Sequence, residues 1–508
     1  MDYIKRFHIS LISILIIQIV VVAFFGFKKE RLNVDEVFTY QGAKNAGLTC
    51  TYWDNNEDFY GNWHTKEQFV QSMNIEEADK WAIKKIFIKD GEKHNRNMYY
   101  LMVNTLESAW GNNSNGWPII FSNLFFVIMA ELLMVALMRR MEINELAVNA
   151  MMVVFGLSAG GVSVVLYQRV YAFSILLVTV AVYWLYRFVD EKISIRKIAF
   201  FLALIATIWV SYYAHLFAFM MCVFVLAAVA VLFLKRSKRK KIVILAILSL
   251  VVMMLYIIRR HGTQFMIMYN RVVSGGIGDK LDSLAAINKV LSDHIYLNVF
   301  FVIILSILGV WSCLHHEDTL NCRYLAIVGL ALLMFYLMLA LGGAGIWWKY
   351  VSITYLFLSS VIAYTVFASE SESNRWKALK FVLLCGVTIL TLSNVSELFI
   401  GYRDDEVFFE KNYSQMDGLL VHADTAGENY LYDAAYLWPE KARVYVEHQS
   451  DFYSSNYDML FTNPKMLLWT TIDYDGDALA RVFIEKSRYT SVEKVFTSQT
   501  LNVYLCSE

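Results

Sequence analysis

Apolar stretches of 17–22 residues recur along the chain, separated by short polar turns. That is about the length a helix needs to cross a bilayer core. The pattern predicts about eleven spans, near 9–27, 117–138, 146–166, 170–189, 198–212, 215–234, 242–258, 295–314, 324–341, 350–369 and 378–400. Taken as one helix, 198–234 would be ~55 Å long at 1.5 Å per residue, too long for one crossing. A turn at "SYYAH", Ser211 to His215, divides it. The first run follows Lys5 and Arg6 and has no small-x-small cleavage pattern, so it reads as a retained anchor.

The tail reads differently. From about Tyr402 the chain turns polar, with strand-like stretches at Gly418–Asp424, Glu428–Ala434, Ala442–His448, Lys465–Asp473 and Thr500–Cys506. A helical pattern at Asp477–Ser487 lies among them, which predicts a small α/β module. The expected fold is thus a polytopic α-helical membrane protein. Its transmembrane part covers 1–400, and an extracytoplasmic α/β accessory domain covers 401–508. Within 1–400 lie two larger loops, 28–116 and 259–294.

Composition agrees. The 508 residues are 57% hydrophobic and 18% charged, against about 25% charged in an average soluble protein. Formal net charge is zero, which gives no signal for nucleic acid. Six cysteines stand singly with no CxxC pair, so no metal site or disulfide framework is expected. No GxxxxGK[ST] stretch occurs to hold ATP. No cofactor is expected, and energy should arrive with an activated substrate.

Sidedness follows from Lys and Arg in the short loops. With the N-terminus inside, the inner segments carry seventeen, including all six of "KRSKRKK", while the short outer loops carry only Arg169 and Lys349. This predicts a multi-pass plasma-membrane protein with a cytoplasmic N-terminus and an extracytoplasmic tail. All large hydrophilic mass then lies outside.

The loop after the first span opens with "RLNVDEVFTY", which sets adjacent Asp35 and Glu36 among Val34, Val37, Phe38 and Tyr40. Adjacent acids in an outer loop are common as a solvated turn or a helix cap, but a solvated loop has no need of that apolar company. A site working on a membrane-borne substrate does. Further on, Ala78, Trp81, Ala82 and Ile86 fall at helical spacing, predicting an amphipathic helix over 76–90 in the headgroup region. Arg169, Lys349, Arg259, Arg260 and His215 converge on the outer face, where cationic groups could hold an anion or snorkel to headgroups. Glu131, inside the second span, is an intramembrane acid that reaches an interface or pairs with a neighbouring helix.

"NVDEVFTYQGAKN" resembles the first-loop motif of the type C glycosyltransferases. It is most similar to the family of the protein O-mannosyltransferases and the lipid A aminoarabinose transferase. The resemblance implies a catalytic base at Asp35 with Glu36 as companion. "HNRNMYYLMVN" matches a later stretch of the same loop at Tyr99 and Tyr100, which implies substrate contacts there, although Arg96 and Asn97 stand where relatives carry prolines. "YQRVYAF" and "WKYVSITYL" are weaker echoes that place Arg169 and Lys349 at span ends. The resemblance thus implies a glycosyltransferase. A sugar moves, with inversion, from a polyprenyl-phosphate donor in the bilayer to a glycan, lipid or protein acceptor. Asp35 takes a proton, and Arg169, Lys349, Arg259 and Arg260 hold the leaving phosphate. His215, Tyr99 and Tyr100 contact substrate. Two other readings stay open: a secondary transporter or flippase of lipid-linked sugars, and a polysaccharide polymerase or ligase.

Overall fold

The computed structural model describes residues 2–29, 34–44, 60–71, 97–110, 116–190, 195–233, 276–299, 301–304, 320–342, 348–367, 373–395, 403–422, 437–455, 460–471, 475–497 and 501–508, with isolated positions between them. Its contacts divide it into two compact units. One holds Met1–Phe27, Gly91–Tyr99 and Ile119–Ser396, the other Lys28–Asp90, Tyr100–Pro118 and Glu397–Glu508.

The first unit is helical. Its helices are α1 (Asp2–Lys28), α2 (Trp117–Arg140), α3 (Glu145–Gly156), α4 (Ala159–Leu166), α5 (Tyr171–Asp190), α6 (Ile195–Ala214), α7 (Leu216–Phe233), α8 (Ile277–Ile295), α9 (Leu320–Leu341), α10 (Trp348–Val351), α11 (Tyr355–Phe367) and α12 (Asn374–Thr391). Among the described residues five helices are long and apolar enough to cross a membrane, or six if the bent pair α3–α4 counts as one span. Parts of α6, α7 and α9 are shorter apolar helices. The span expected at 242–258 falls largely outside the described residues, and the second half of the one expected at 295–314 does so too.

Local chemistry explains several boundaries. Pro118 sits in the first turn of α2, where its missing N–H costs nothing. Arg139 and Arg140 close that helix at its negative end. Asn144 caps α3 by accepting from the Ala147 N–H at 2.8 Å. Ser158 caps α4 through the Gly161 N–H at 3.1 Å. Between these caps the chain bends by 54°. The bend brings Gly161 hard against α3: a Cβ there would stand 1.9 Å from the Phe155 carbonyl oxygen. The break between α6 and α7 falls at His215, inside the expected turn.

α3 packs on α11 and α12, α5 on α6, and α7 against α9 and α5. By contrast, α1 and α12 leave much apolar surface uncovered, including Ile9, Ile12, Ile16, Val20, Val382 and Leu390. Apolar surface on that scale suits a lipid-facing helix. The second expected loop contains the helix α8, which starts just after Gly276.

The second unit is built on a six-stranded sheet. Its strands are β1 (Asn62–Thr65), β2 (Gly418–His422), β3 (Arg443–His448), β4 (Lys465–Thr471), β5 (Ser491–Thr497) and β6 (Leu501–Ser507). The order is β1-β3-β2-β4-β6-β5. β2 runs parallel to both β3 and β4, and the other pairs are antiparallel. A helix over Gly476–Glu485 follows β4, capped by Asp475 through the Ala478 N–H at 3.0 Å. Leu419, Val421, Met466, Leu468, Phe483 and Tyr504 fill one core. Four strands and this helix match sequence stretches, while the strand expected at 428–434 lies outside the described residues.

β1 comes from the first loop. Asn62–Thr65 pairs antiparallel with Val446–Arg443. Trp63 stands 5.5 Å from the Tyr445 ring and 5.3 Å from the Phe461 ring, and the Arg443 guanidinium lies 4.9 Å from the Trp63 ring. Lys66 and Glu406 form an ion pair beside it.

The amphipathic helix expected over 76–90 does not run unbroken. Trp81 takes a left-handed conformation with φ 56°, which a right-handed helix cannot contain. Its N–H donates instead to Ser108 Oγ at 3.1 Å, and its side chain is exposed.

Candidate functional site

The acidic motif forms the first turn of a helix, Val34–Lys44. Carboxylates are favoured there because the free N–H groups of a helix start carry positive charge. The helix treats the pair unequally. Glu36 is fully buried and sits 2.5 Å from Lys29, whose side chain is also buried. Burial pulls Lys29 below the usual lysine range, and the Glu36 charge partly opposes that. Asp35 stays half-exposed. Val37, Thr39 and Tyr40 are buried and anchor the helix.

Tyr100 supports the same helix. Its ring occupies the space beside Gly42, where a Cβ would meet ring atoms at 2.7–2.8 Å. Asn104, a turn later, donates from one amide nitrogen to the Ala43 carbonyl at 3.0 Å and the Asp79 carbonyl at 2.8 Å. Both tyrosines of the "MYY" stretch are interior residues. In the other unit, Tyr99 donates its hydroxyl to Asn123 Oδ1 at 3.3 Å.

A second group of residues lies in the helical unit. The turn between α4 and α5 carries Arg169, 3% exposed, between Tyr167 and Tyr171. Asn123 of α2 fixes this turn by donating to the carbonyls of Val165 at 3.2 Å and Tyr167 at 3.0 Å. Tyr171 stands 5.1 Å from the His215 ring at the α6–α7 break. Tyr350 in turn lies 6.3 Å from Tyr171 and 6.4 Å from His215. The Lys349 ammonium is 5.6 Å from the Tyr350 ring, and Trp348 is 5.1 Å from Tyr167. Ring contacts therefore join the turn that carries Arg169, through Tyr167 and Tyr171, to His215 and to the segment of Lys349, places far apart in sequence. Arg169, His215 and Lys349 are all buried.

His294, at the end of α8, continues the group. Its ring lies 5.4 Å from Trp348, and its Nδ1 hydrogen-bonds the Tyr355 hydroxyl at 2.8 Å. Burial pulls His294 down to about 4, so it is neutral near pH 7.

Two buried cationic groups near tyrosines make an environment that suits an anionic ligand. Arg offers a planar fork for phosphate oxygens and Lys a point charge. Of the other expected residues, Arg259 is exposed on a helix, and Arg260 lies outside the described residues. Asn123 and His294 were not singled out by sequence, whereas Tyr171 and Tyr350 stand in the stretches "YQRVYAF" and "WKYVSITYL" already noted. Only Asn123 carried a signal, as an amide inside an apolar run. Among the described residues no group of three or more His, Cys, Asp or Glu could hold a metal ion.

No family model matches the chain, and no curated protein matches it. Two solved structures are similar. One is ArnT from Cupriavidus metallidurans bound to undecaprenyl phosphate, with TM-score 0.43, 11% identity, and 97% of each chain covered. The other is the same protein in the apo state, with TM-score 0.43, 10% identity, and 98% of each chain covered. ArnT is an aminoarabinose transferase of the type C group that the Asp35–Glu36 stretch resembles. At these values the similarity transfers no substrate and no residue role.

Proposed function

We propose that this chain is a membrane glycosyltransferase that moves a sugar from a polyprenyl-phosphate donor to an extracytoplasmic acceptor, in cell-envelope glycan or glycoconjugate synthesis. The observation that carries it is the placement of three buried residues within a bundle of apolar helices: Arg169 on the turn between Tyr167 and Tyr171, and His215 and Lys349 joined to that turn through Tyr171 and Tyr350. Intramembrane or near-membrane cations are expensive and are retained for function. A lipid phosphate is the kind of anion that a guanidinium and an ammonium recognise, and its prenyl chain suits the surrounding apolar helices.

The chemistry assigns distinct parts. Asp35 takes the proton from the acceptor hydroxyl as that oxygen attacks the anomeric carbon, which inverts the configuration. Its half-exposure suits a group that must meet a substrate. Glu36 keeps the helix in place through Lys29. Arg169 and Lys349 stabilise the phosphate as it leaves. The N-terminus is cytoplasmic and the tail extracytoplasmic in this reading.

A second reading, a secondary transporter or flippase, draws on the 54° break between α3 and α4, since transporters build sites at broken helices. One experiment separates the two. Purified protein in vesicles is given radiolabelled polyprenyl-phosphate sugars, and both transfer to a soluble acceptor and movement across the bilayer are counted. Free polyprenyl phosphate appearing with sugar transfer supports the enzyme. Flux without bond cleavage replaces it with the transporter.

A further inference from the structure

Gln18, Glu131 and Gly156 come from three helices, α1, α2 and α3. Glu131 is fully buried and Gln18 is 1% exposed. A Cβ on Gly156 would stand 2.8 Å from Gln18 Oε1 and 2.9 Å from Glu131 Oε1. Glycine is therefore what lets both oxygens reach the end of α3. Among the described residues, no hydrogen bond of normal geometry meets Gln18 Oε1 or either carboxylate oxygen of Glu131, although the Gln18 side-chain amide stands close to the Glu131 carboxyl.

The electrostatics all have one sign. Gly156 is the last residue of α3, and a helix C-terminus carries partial negative charge. A carboxylate and an amide oxygen gather at that end. Depth makes this more costly. Gln18 and Glu131 each lie about 13 Å along their helices from Ile9 and Arg140, at 1.5 Å per residue, near the middle of a ~30 Å core. An ionised carboxylate in such a place needs a positive partner.

We propose that Gln18, Glu131 and the C-terminal end of α3 form an intramembrane binding site for a monovalent cation, either a proton or a sodium ion. One carboxylate balances one charge, which argues against a divalent ion, whose sites gather several carboxylates. A proton sits on Glu131 and is shared with Gln18 Oε1. A sodium ion takes oxygens from both. Either cation ties α1 to α2 and α3 just before the 54° break. The site does not depend on the glycosyltransferase reading.

The test uses full-length protein in lipid nanodiscs. Dicyclohexylcarbodiimide, an apolar reagent for protonated carboxyls, is applied across a pH series in sodium chloride or choline chloride, and the adduct at Glu131 is read by mass spectrometry. Thermal unfolding of wild type and Glu131→Gln is followed in the same buffers. An adduct that falls as pH rises and ignores sodium identifies the proton. An adduct suppressed by sodium identifies the sodium ion, and Gln18→Leu then weakens the suppression. A wild-type melting temperature that responds to sodium or pH more than that of Glu131→Gln supports the site even without an adduct. No adduct, together with identical sodium and pH responses in the two proteins, overturns it. A Gln18 amide turned to donate to ionised Glu131 would give that last result.

Discussion

Lys29 Nζ and Glu36 Oε1 stand 2.5 Å apart, with both side chains buried, seven residues from each other in sequence. The pair fixes how the motif helix starts after the first span. Removing one member of a buried ion pair strands the other charge, at a cost of about 3–5 kcal/mol. Glu36→Gln should therefore lower the melting temperature markedly. Lys29→Met with Glu36→Leu should cost much less than the sum of the single changes. Thermal unfolding of the three variants checks this, and equal additive losses would mean the two groups do not interact.

Asp35 differs in kind. It is half-buried in the first turn of its helix, so Asp35→Asn should cost folding only about 0.3–1 kcal/mol, the worth of a charge at a helix end. Turnover should fall by about 10²–10⁴, the usual share of a general base. The check is transfer rate and melting temperature on the same preparation. A wild-type rate would make the acidic motif purely structural.

Arg169→Ala and Lys349→Ala should each weaken binding of polyprenyl phosphate by about tenfold to a hundredfold, since a charge-assisted hydrogen bond is worth about 1.5–3 kcal/mol. Lys349→Arg should retain part of the affinity. Titration of the lipid phosphate into purified variants measures it. Unchanged affinity in both alanine variants would remove the basic group from the donor site.

Gly161→Ala places a Cβ 1.9 Å from the Phe155 carbonyl oxygen, which is backbone and cannot rotate away. The α3–α4 bend has to open, and about 1–3 kcal/mol or more of stability should go with it. Gly386→Ala, where a Cβ meets nothing within 4 Å, is the matched control. Equal melting temperatures for the two would show that the bend is not held by this contact.

His294 gives a pH signature. Burial lowers it to about 4 from an ordinary 6.5. The unfolded chain then binds the proton more readily than the folded one between those values. Stability is fully present above about pH 6.5 and is lost as pH falls toward 4, by about 3 kcal/mol at most. His294→Asn should flatten that part of the melting-temperature profile. An unchanged profile would assign the acid loss to other groups.

What could be read from sequence was what is local in sequence. Hydropathy marked α1, α2, α5, α11 and α12, because each apolar run is itself the helix. β2, β3, β4 and β6 showed as apolar strand-like runs. β1 did not, because "NWHT" is four residues whose only strand character comes from pairing with Arg443–Val446. β5 was missed because its side chains are mostly exposed. The Arg169–His215–Lys349 grouping was guessed from their shared outer face, and packing alone could show that tyrosine rings connect them. His294 had no signal at all, since a histidine in a polar helix looks like any solvated one.

The strand pairing between β1 and β3 also sets a timetable for synthesis. Residues 62–65 leave the ribosome early, but their partners at 443–446 emerge some 378 residues later. At roughly 5–20 residues per second, that is about twenty to eighty seconds. During this interval Trp63 has neither Tyr445 nor Phe461 to pack against. The sheet can close only when the last tenth of the chain has been made, so a chain truncated before β3 would carry its acidic-motif loop with one edge unfinished.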